Sequence, residues 1–274
     1  MTDRSPAAAE LANIGRTYLE QAENLLSQLE RLDPPFGVRT VLEPVNELLL
    51  LLSNADGEGN LLSQVHPEPQ VRDTAEDLVR KVDQVRTRFL QSKRIYTALG
   101  NLDQAALDPL ARRATSLTRQ DMRRAGVELA DSQREHVRTL RDQLVDIEQA
   151  FSRNIRGDVR HIQLGGPDEL NGLPPDYVAS HPPRQDGTIR ITTKYPDYYP
   201  FMQYAASESA RRRLLHEFYN RAAPANLEVL QRMLVIRKEL AATLGYASWA
   251  DYVTEDRMAG SARNAAAFRV VGFA

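Results

Sequence analysis

His216-Glu217-Phe218-Tyr219-Asn220 has the residue types for metal chemistry, an imidazole and a carboxylate side by side in a segment that reads as helix. Two imidazoles can hold zinc from one helix when they stand four apart, one turn above the other, with a further protein ligand beside them. Here Asn220 occupies the second position, and nowhere in the 274 residues do two histidines stand four apart. One imidazole does not hold catalytic zinc, so His216 and Glu217 are assigned to the surface of a helix that also carries Arg211, Arg212 and Arg213. Asp158 and His161 are three apart in a stretch that reads as strand, which places them on opposite faces as solvated polar positions. Tyr195, Tyr198, Tyr199, Phe201 and Tyr204 combine apolar area with polar tips. They fit the lining of a peptide groove and fit equally the packing of a hairpin onto helices. No Gly-x-Ser-x-Gly elbow is present, and Gly165-Gly166 lacks the remaining glycines of a phosphate loop. No catalytic and no metal-ligating residue is assigned, and the substrate-binding residues are left open.

The composition bounds the rest. With 42% hydrophobic and 26% charged residues the chain has the makings of one large or two modest domains with a real core. A formal net charge of −2 leaves no excess of cations for nucleic-acid phosphates. There is no cysteine, which removes disulfides and thiolate chemistry together and fits a reducing compartment. The start, Met1 to Glu10, has no apolar core of a leader, and Leu48 to Leu52 is far too short to cross a membrane. The expectation is a cytoplasmic protein without a membrane or nucleic-acid partner.

Most of the chain has helical period. Ser5-Pro6 starts a helix whose apolar positions run from Leu11 to Leu32 until Asp33-Pro34-Pro35. A second helix is expected over 38–54, buried all round at Leu48 to Leu52 and ended by a loop at Asp56-Gly57-Glu58-Gly59-Asn60. Val71, Ala75, Leu78, Val82, Val85 and Phe89 form a heptad seam, read as one helix over 68–98, about 45 Å long at about 1.5 Å per residue. Helices over 103–124, stopped by Gly126, and through Val137, Leu140, Leu144, Ile147 and Phe151 follow. Near Gly157 the period becomes two, and strands at about 159–164 and 188–193 form a small β-hairpin with a short helix at 174–180 between them. Helices resume from Glu208, through Leu227, Leu230, Leu234 and Leu240 to Gly245, and again at Trp249. The fold class is all-α, an elongated multi-helix array with one small β-hairpin.

The run Ile189-Arg190-Ile191-Thr192-Thr193-Lys194-Tyr195-Pro196-Asp197-Tyr198-Tyr199-Pro200-Phe201-Met202 resembles the segment before the catalytic region in the thimet oligopeptidase and oligopeptidase A group of zinc metallopeptidases. The block Leu240 to Tyr252, with Leu244-Gly245-Tyr246 and Trp249-Ala250-Asp251-Tyr252, followed by Glu255-Asp256-Arg257-Met258, is similar to a further passage of that family. Phe151-Ser152-Arg153-Asn154, Arg123 to Val127 and His66-Pro67 extend the resemblance over nearly the whole chain. It implies a zinc-dependent endopeptidase for short peptides, with a channel walled partly by N-terminal helices. The family's zinc helix and later glutamate ligand lie beyond the Leu-Gly-Tyr block, so no family zinc or catalytic residue carries over. The expectation is an N-terminal portion, residues 1–204 as helical region with hairpin and 205–274 as the start of a truncated catalytic region, ending in the apolar run Val270 to Ala274. Such a chain holds no cofactor itself, zinc being expected in the full-length member, and is inactive alone; short peptides are the partners of the full-length parent, and a complementary catalytic half is the partner expected for this portion. The alternative is a non-enzymatic helical scaffold that binds a partner through its heptad seams.

Overall fold

Ser5 starts the first helix by accepting a hydrogen bond from the Ala8 backbone N–H, with Pro6 already set to helical φ. The structure, a computed structural model, describes residues 5–271, so the terminal apolar run from 272 onward lies outside the described residues. Two compact units divide the chain, Met1–Asp146 with Met233–Ala274, and Ile147–Arg232.

In the first unit α1 (Pro6–Leu29) leads through Pro34-Pro35 to a π-helical turn, Val38–Leu42, and then α2 (Glu43–Val65), α3 (Pro69–Leu90), α4 (Lys93–Gly100) and α5 (Pro109–Arg124), with α6 (Asp131–Gly157) beginning here. Helices α1, α2 and α3 pack on one another around Leu26, Leu29, Leu48, Leu52, Val82 and Phe89, all buried. Every residue of the heptad seam from Val71 to Phe89 lies in this core. That seam is closed within the unit, and Val137, Leu140 and Leu144 of the second seam are buried as well, while Phe151 at its end is half-buried.

Four expectations for this unit are corrected. The segment Asp56 to Asn60 is not a loop: it lies inside α2, where Gly59 lets the backbone approach α3, since a Cβ there would stand 2.9 Å from Val79 Cγ2. The five leucines are not buried all round, because the helix is packed on one side: Leu48 and Leu52 are covered while Leu50 is 56% exposed. The long helix over 68–98 is two helices. Ser92 caps α4 by accepting from the Ile95 N–H, and the buried Gln91 beside it donates to the Ala125 carbonyl and accepts from Arg138 Nε. Finally, α5 starts at Pro109 rather than at Asp103, because Asp108 accepts from the Ala111 N–H at 2.8 Å and sets the start.

The second unit holds β1 (His161–Leu164), α7 (Pro175–Ser180), β2 (Ile189–Thr192), α8 (Tyr195–Tyr204) and α9 (Glu208–Tyr219), with α10 (Ala225–Thr243) beginning here. The strands pair antiparallel with His161 opposite Thr192 and Leu164 opposite Ile189. Ile162, Leu164, Ile189 and Ile191 turn one face of this sheet onto Tyr198, Phe201, Ala210 and Leu214. The alternation seen in the sequence thus sorts the hairpin into buried and exposed faces. Helix α8 is an element absent from the sequence reading, masked by Pro196, which sits in the first turn where a proline costs no hydrogen bond, and by Pro200, which lies inside the helix. The chain closes with α11 (Trp249–Thr254) and α12 (Ala262–Val271). The fold class is all-α with one small two-stranded sheet. Among the described residues no helix is long and apolar enough to cross a membrane.

Candidate functional site

Ser207 caps α9, and the helix brings Arg213, His216 and Glu217 beside β1. Together with His161, Ile162, Gln163 and Arg212 these residues line an open depression of about 700 Å³. Arg213 is fixed on both sides, donating to the Gln163 carbonyl at 2.8 Å and to Glu169 Oε1 at 2.7 Å. Glu217 faces Arg160 Nη1 at 3.6 Å, and His216 Nδ1 stands 3.6 Å from Glu217 Oε1. Asn220, at the position where a second imidazole would be needed, ends the helix by donating to the His216 carbonyl at 2.8 Å. Among the described residues no group of three or more His, Cys, Asp or Glu is placed to hold a metal ion.

Asp158 and His161 serve separate structures. Asp158 Oδ2 accepts from the Ala222 N–H at 2.7 Å and from Arg160 Nε at 3.0 Å. Those bonds, the Ala222 N–H first, hold its carboxyl below the usual range despite the cost of burial. They also clamp Ala222 with φ at 59°, a left-handed conformation that alanine rarely adopts. His161 Nδ1 instead meets Arg190 Nη2 from the neighbouring strand at 3.3 Å.

Part of the aromatic group is packed and part of it is exposed. Phe201 and Tyr198 are buried, and Tyr198 stacks on Phe218 at 3.7 Å between ring centroids with 15° between planes. The Arg221 guanidinium lies over the Phe218 ring, 3.8 Å from its centroid. Tyr195 and Tyr199 are each 57% exposed beside this stack, and Tyr204 is exposed too. What ties them to the hairpin is Asp197. Its Oδ2 accepts from the Thr192 N–H at 3.1 Å and from the Thr192 hydroxyl, and its Oδ1 lies 3.3 Å from His181 Nε2. The Tyr177 hydroxyl donates to the Asp197 carbonyl at 2.7 Å, and burial, with the Asp197 charge nearby, pushes its pKa far up. No motif in the sequence marks this latch, whose members come from α7, β2 and α8.

The Leu-Gly-Tyr block belongs to the first unit. Gly245, at φ 86°, turns the chain so that the Tyr246 N–H reaches the Ala241 carbonyl. The Tyr246 hydroxyl donates to Glu255 Oε2 at 2.6 Å, and burial followed by that carboxylate pushes it up to about 12. Arg124, only 11% exposed, donates to the same Glu255 oxygen at 2.8 Å and to the Tyr252 carbonyl at 2.9 Å, faces Asp256 at 3.4 Å and covers the Tyr252 ring. Arg141 donates to the Tyr252 hydroxyl at 3.1 Å. The block is therefore a clasp that fastens residues 246–256 to α5 and α6.

No family model matches the chain. It is similar to a probable cytosolic oligopeptidase A of Arabidopsis thaliana, 26% identical over 264 residues, covering 89% of this chain and 38% of that protein. An organellar oligopeptidase A, chloroplastic and mitochondrial, of the same plant is 25% identical, with 89% and 33% covered. A thimet-like oligopeptidase of Dictyostelium discoideum is 22% identical, with 92% and 40% covered. These matches make the chain a homologue of the oligopeptidase A and thimet-like oligopeptidases, and it spans about a third to two fifths of the length of these curated relatives.

Proposed function

We propose that these residues are the N-terminal helical portion of a zinc-dependent oligopeptidase, forming part of the wall of a channel that admits short peptides. The observation that carries the reading is the match along nine tenths of this chain but at most 40% of those relatives. We assign residues 205–274 to the start of the catalytic region, and the cytoplasm as its location, on the same resemblance and on the lack of cysteine. The residues present do not fit a catalytic zinc. His216 has Glu217 beside it at 3.6 Å and no third donor, and Asn220 spends its amide on the helix end. No zinc ligand and no chemical step is therefore assigned to any residue here.

What this portion contributes is binding. Exposed Tyr195 and Tyr199 on a rigid stack offer apolar area with hydroxyl tips, the side-chain type that holds peptides without specifying one sequence. The test uses the 274-residue chain. After dialysis it should hold no stoichiometric zinc and should not cleave a quenched-fluorescent nonapeptide, yet should raise the anisotropy of the same peptide carrying a fluorophore. Chelator-sensitive turnover by the purified chain would overturn the division of labour, and absence of peptide binding would overturn the channel reading.

A further inference from the structure

In the first unit Thr115, Ser116, Arg119 and Arg123 of α5, with Gly100 at the end of α4 and Gln104 in the connection between the two helices, line a pocket of about 250 Å³. Positions three and four apart on a helix are neighbours, so Ser116, Arg119 and Arg123 stand in one row. This lining holds two positive charges and no carboxylate. Among the described residues no acid lies within ion-pair distance of Arg119 or Arg123, whereas Arg124 beside them is matched with Glu255 and Asp256. Acids close by in the chain have other partners: Glu128 accepts from the Tyr96 hydroxyl at 2.8 Å, Asp103 from the Ala105 N–H at 3.0 Å and Asp108 from the Ala111 N–H at 2.8 Å. Arg119 is held in place without being neutralised. Its guanidinium lies over the Tyr96 ring, 4.6 Å from the centroid, and its Nε is buried with no hydrogen-bond partner. Gly100 makes room for it, since a Cβ there would stand 3.1 Å from Arg119 Cζ.

We propose that this pocket binds a phosphate dianion, free or as the end of a small phosphate ester, with Arg119 and Arg123 as its counter-charges. Two guanidiniums balance the charge of about −2 that a phosphate monoester carries at neutral pH, and a single carboxylate would leave one of them unmatched. The neutral groups add donors. The Ser116 hydroxyl has no partner among the described residues, and Gln104, whose amide donates to the Leu102 carbonyl at 3.3 Å, keeps a second amide hydrogen free. Thr115 adds none, because its hydroxyl donates to the Ala111 carbonyl at 2.8 Å. With no acid in the lining, nothing there repels the second charge of the ligand. A phosphate held by Gln104 and the two arginines ties the connection 101–108 to α5. Every member lies in the first unit and none belongs to the exposed aromatic group, so the site stands independently of the peptide-binding reading.

The experiment titrates the full chain at neutral pH and constant ionic strength with glycerol 3-phosphate, inorganic phosphate and acetate, and follows the Arg119 Nε–H and the backbone amides by NMR. The phosphates should shift the Arg119 Nε–H and the amides of Gln104 and Ser116 saturably, while acetate binds at least tenfold more weakly. Binding should weaken as pH falls through about 6, where the phosphate takes up its second proton. Arg123→Ala should weaken the phosphates at least tenfold; the side chain is exposed, and the circular dichroism of the variant should be unchanged. Arg119→Lys, which keeps the charge but loses the planar fork, should weaken them severalfold. Saturation should slow hydrogen exchange across 101–108. Tighter binding of the ester or of free phosphate names the source, and either result upholds the site. Acetate binding as tightly as phosphate, no saturation by either phosphate in the millimolar range, or unchanged affinity in Arg123→Ala would each overturn it.

Discussion

Gly57 and Gly59 stand two apart on α2 and should respond to the same substitution with opposite sign. At Gly57 an added Cβ meets nothing within 4 Å, so Gly57→Ala gains only the helix preference of alanine, about 0.5–1 kcal/mol. At Gly59 the new methyl would stand 2.9 Å from Val79 Cγ2 and 3.3 Å from the Ala75 carbonyl oxygen, against about 3.5–4.0 Å for comfortable carbon contact. Val79 is β-branched and held to one rotamer on α3, so the relief must come from moving one helix against the other. Overpacking of this kind costs about 1–3 kcal/mol, which exceeds the alanine gain and leaves Gly59→Ala destabilised by about 1 kcal/mol net. Urea unfolding read by the fluorescence of Trp249, the sole tryptophan and a member of the same unit, measures both variants. The Gly57→Ala midpoint should rise and the Gly59→Ala midpoint fall, with equal slopes. Equal stabilisation of both variants would mean that α2 does not press on α3 at this point, and destabilisation of both would restore the loop that the sequence suggested.

Asp158→Ala leaves the Ala222 N–H and the Arg160 guanidinium without their acceptor and should cost the second unit about 1–3 kcal/mol at neutral pH. The folded carboxyl is held below its unfolded value near 3.9, so its contribution is fully present above that value and is lost as pH falls through the lower folded one; the gap between wild type and variant, measured by urea unfolding with tyrosine circular dichroism, should close only below about pH 4. Arg124→Ala should release the clasp, costing about 2–3 kcal/mol locally for its charged hydrogen bonds, and shift Trp249 emission through Tyr252, 5.2 Å away between ring centroids; unchanged emission and unchanged proteolysis after 245 would refute it. In hydrogen exchange the α3 amides, under six buried seam residues, should be far slower than those of α11, in which no residue is buried, and equal rates would contradict that division of the first unit.

The sequence made legible whatever repeats or alternates. The Val71 to Phe89 seam, the alternation from His161 to Leu164 and the Ser5-Pro6 start all reappear in place, because burial against a neighbour imposes a period and an end needs a cap. Misreadings arose where one residue type has two physical uses. Gly57 and Gly59 read as a loop because glycine is the usual loop residue, yet one of them is a point of close helix approach that only the partner helix reveals. Ser92 reads as an ordinary polar position in a long helix until the buried Gln91 beside it is seen bonded to Ala125 and Arg138, which lie 34 and 47 residues further on.

The same reasoning explains why the candidate site was hard to find. A metal or nucleophile motif is local, so the departure at Asn220 could be read directly and turned the argument away from catalysis. The standing of a surface charge is different, because it is known only after each neighbouring arginine has been matched with its acceptor. Arg211, Arg212 and Arg213 are indistinguishable in the sequence. Folded, Arg213 belongs to Glu169 and the Gln163 carbonyl, and Arg211 turns back to the Ala205 carbonyl. Among the described residues Arg212 alone of the three has no such acceptor, and it lines the depression with His161 and His216. The partners come from β1, the turn after it and the end of α8, so which of three adjacent arginines stays uncommitted is set by tertiary structure and not by the local sequence.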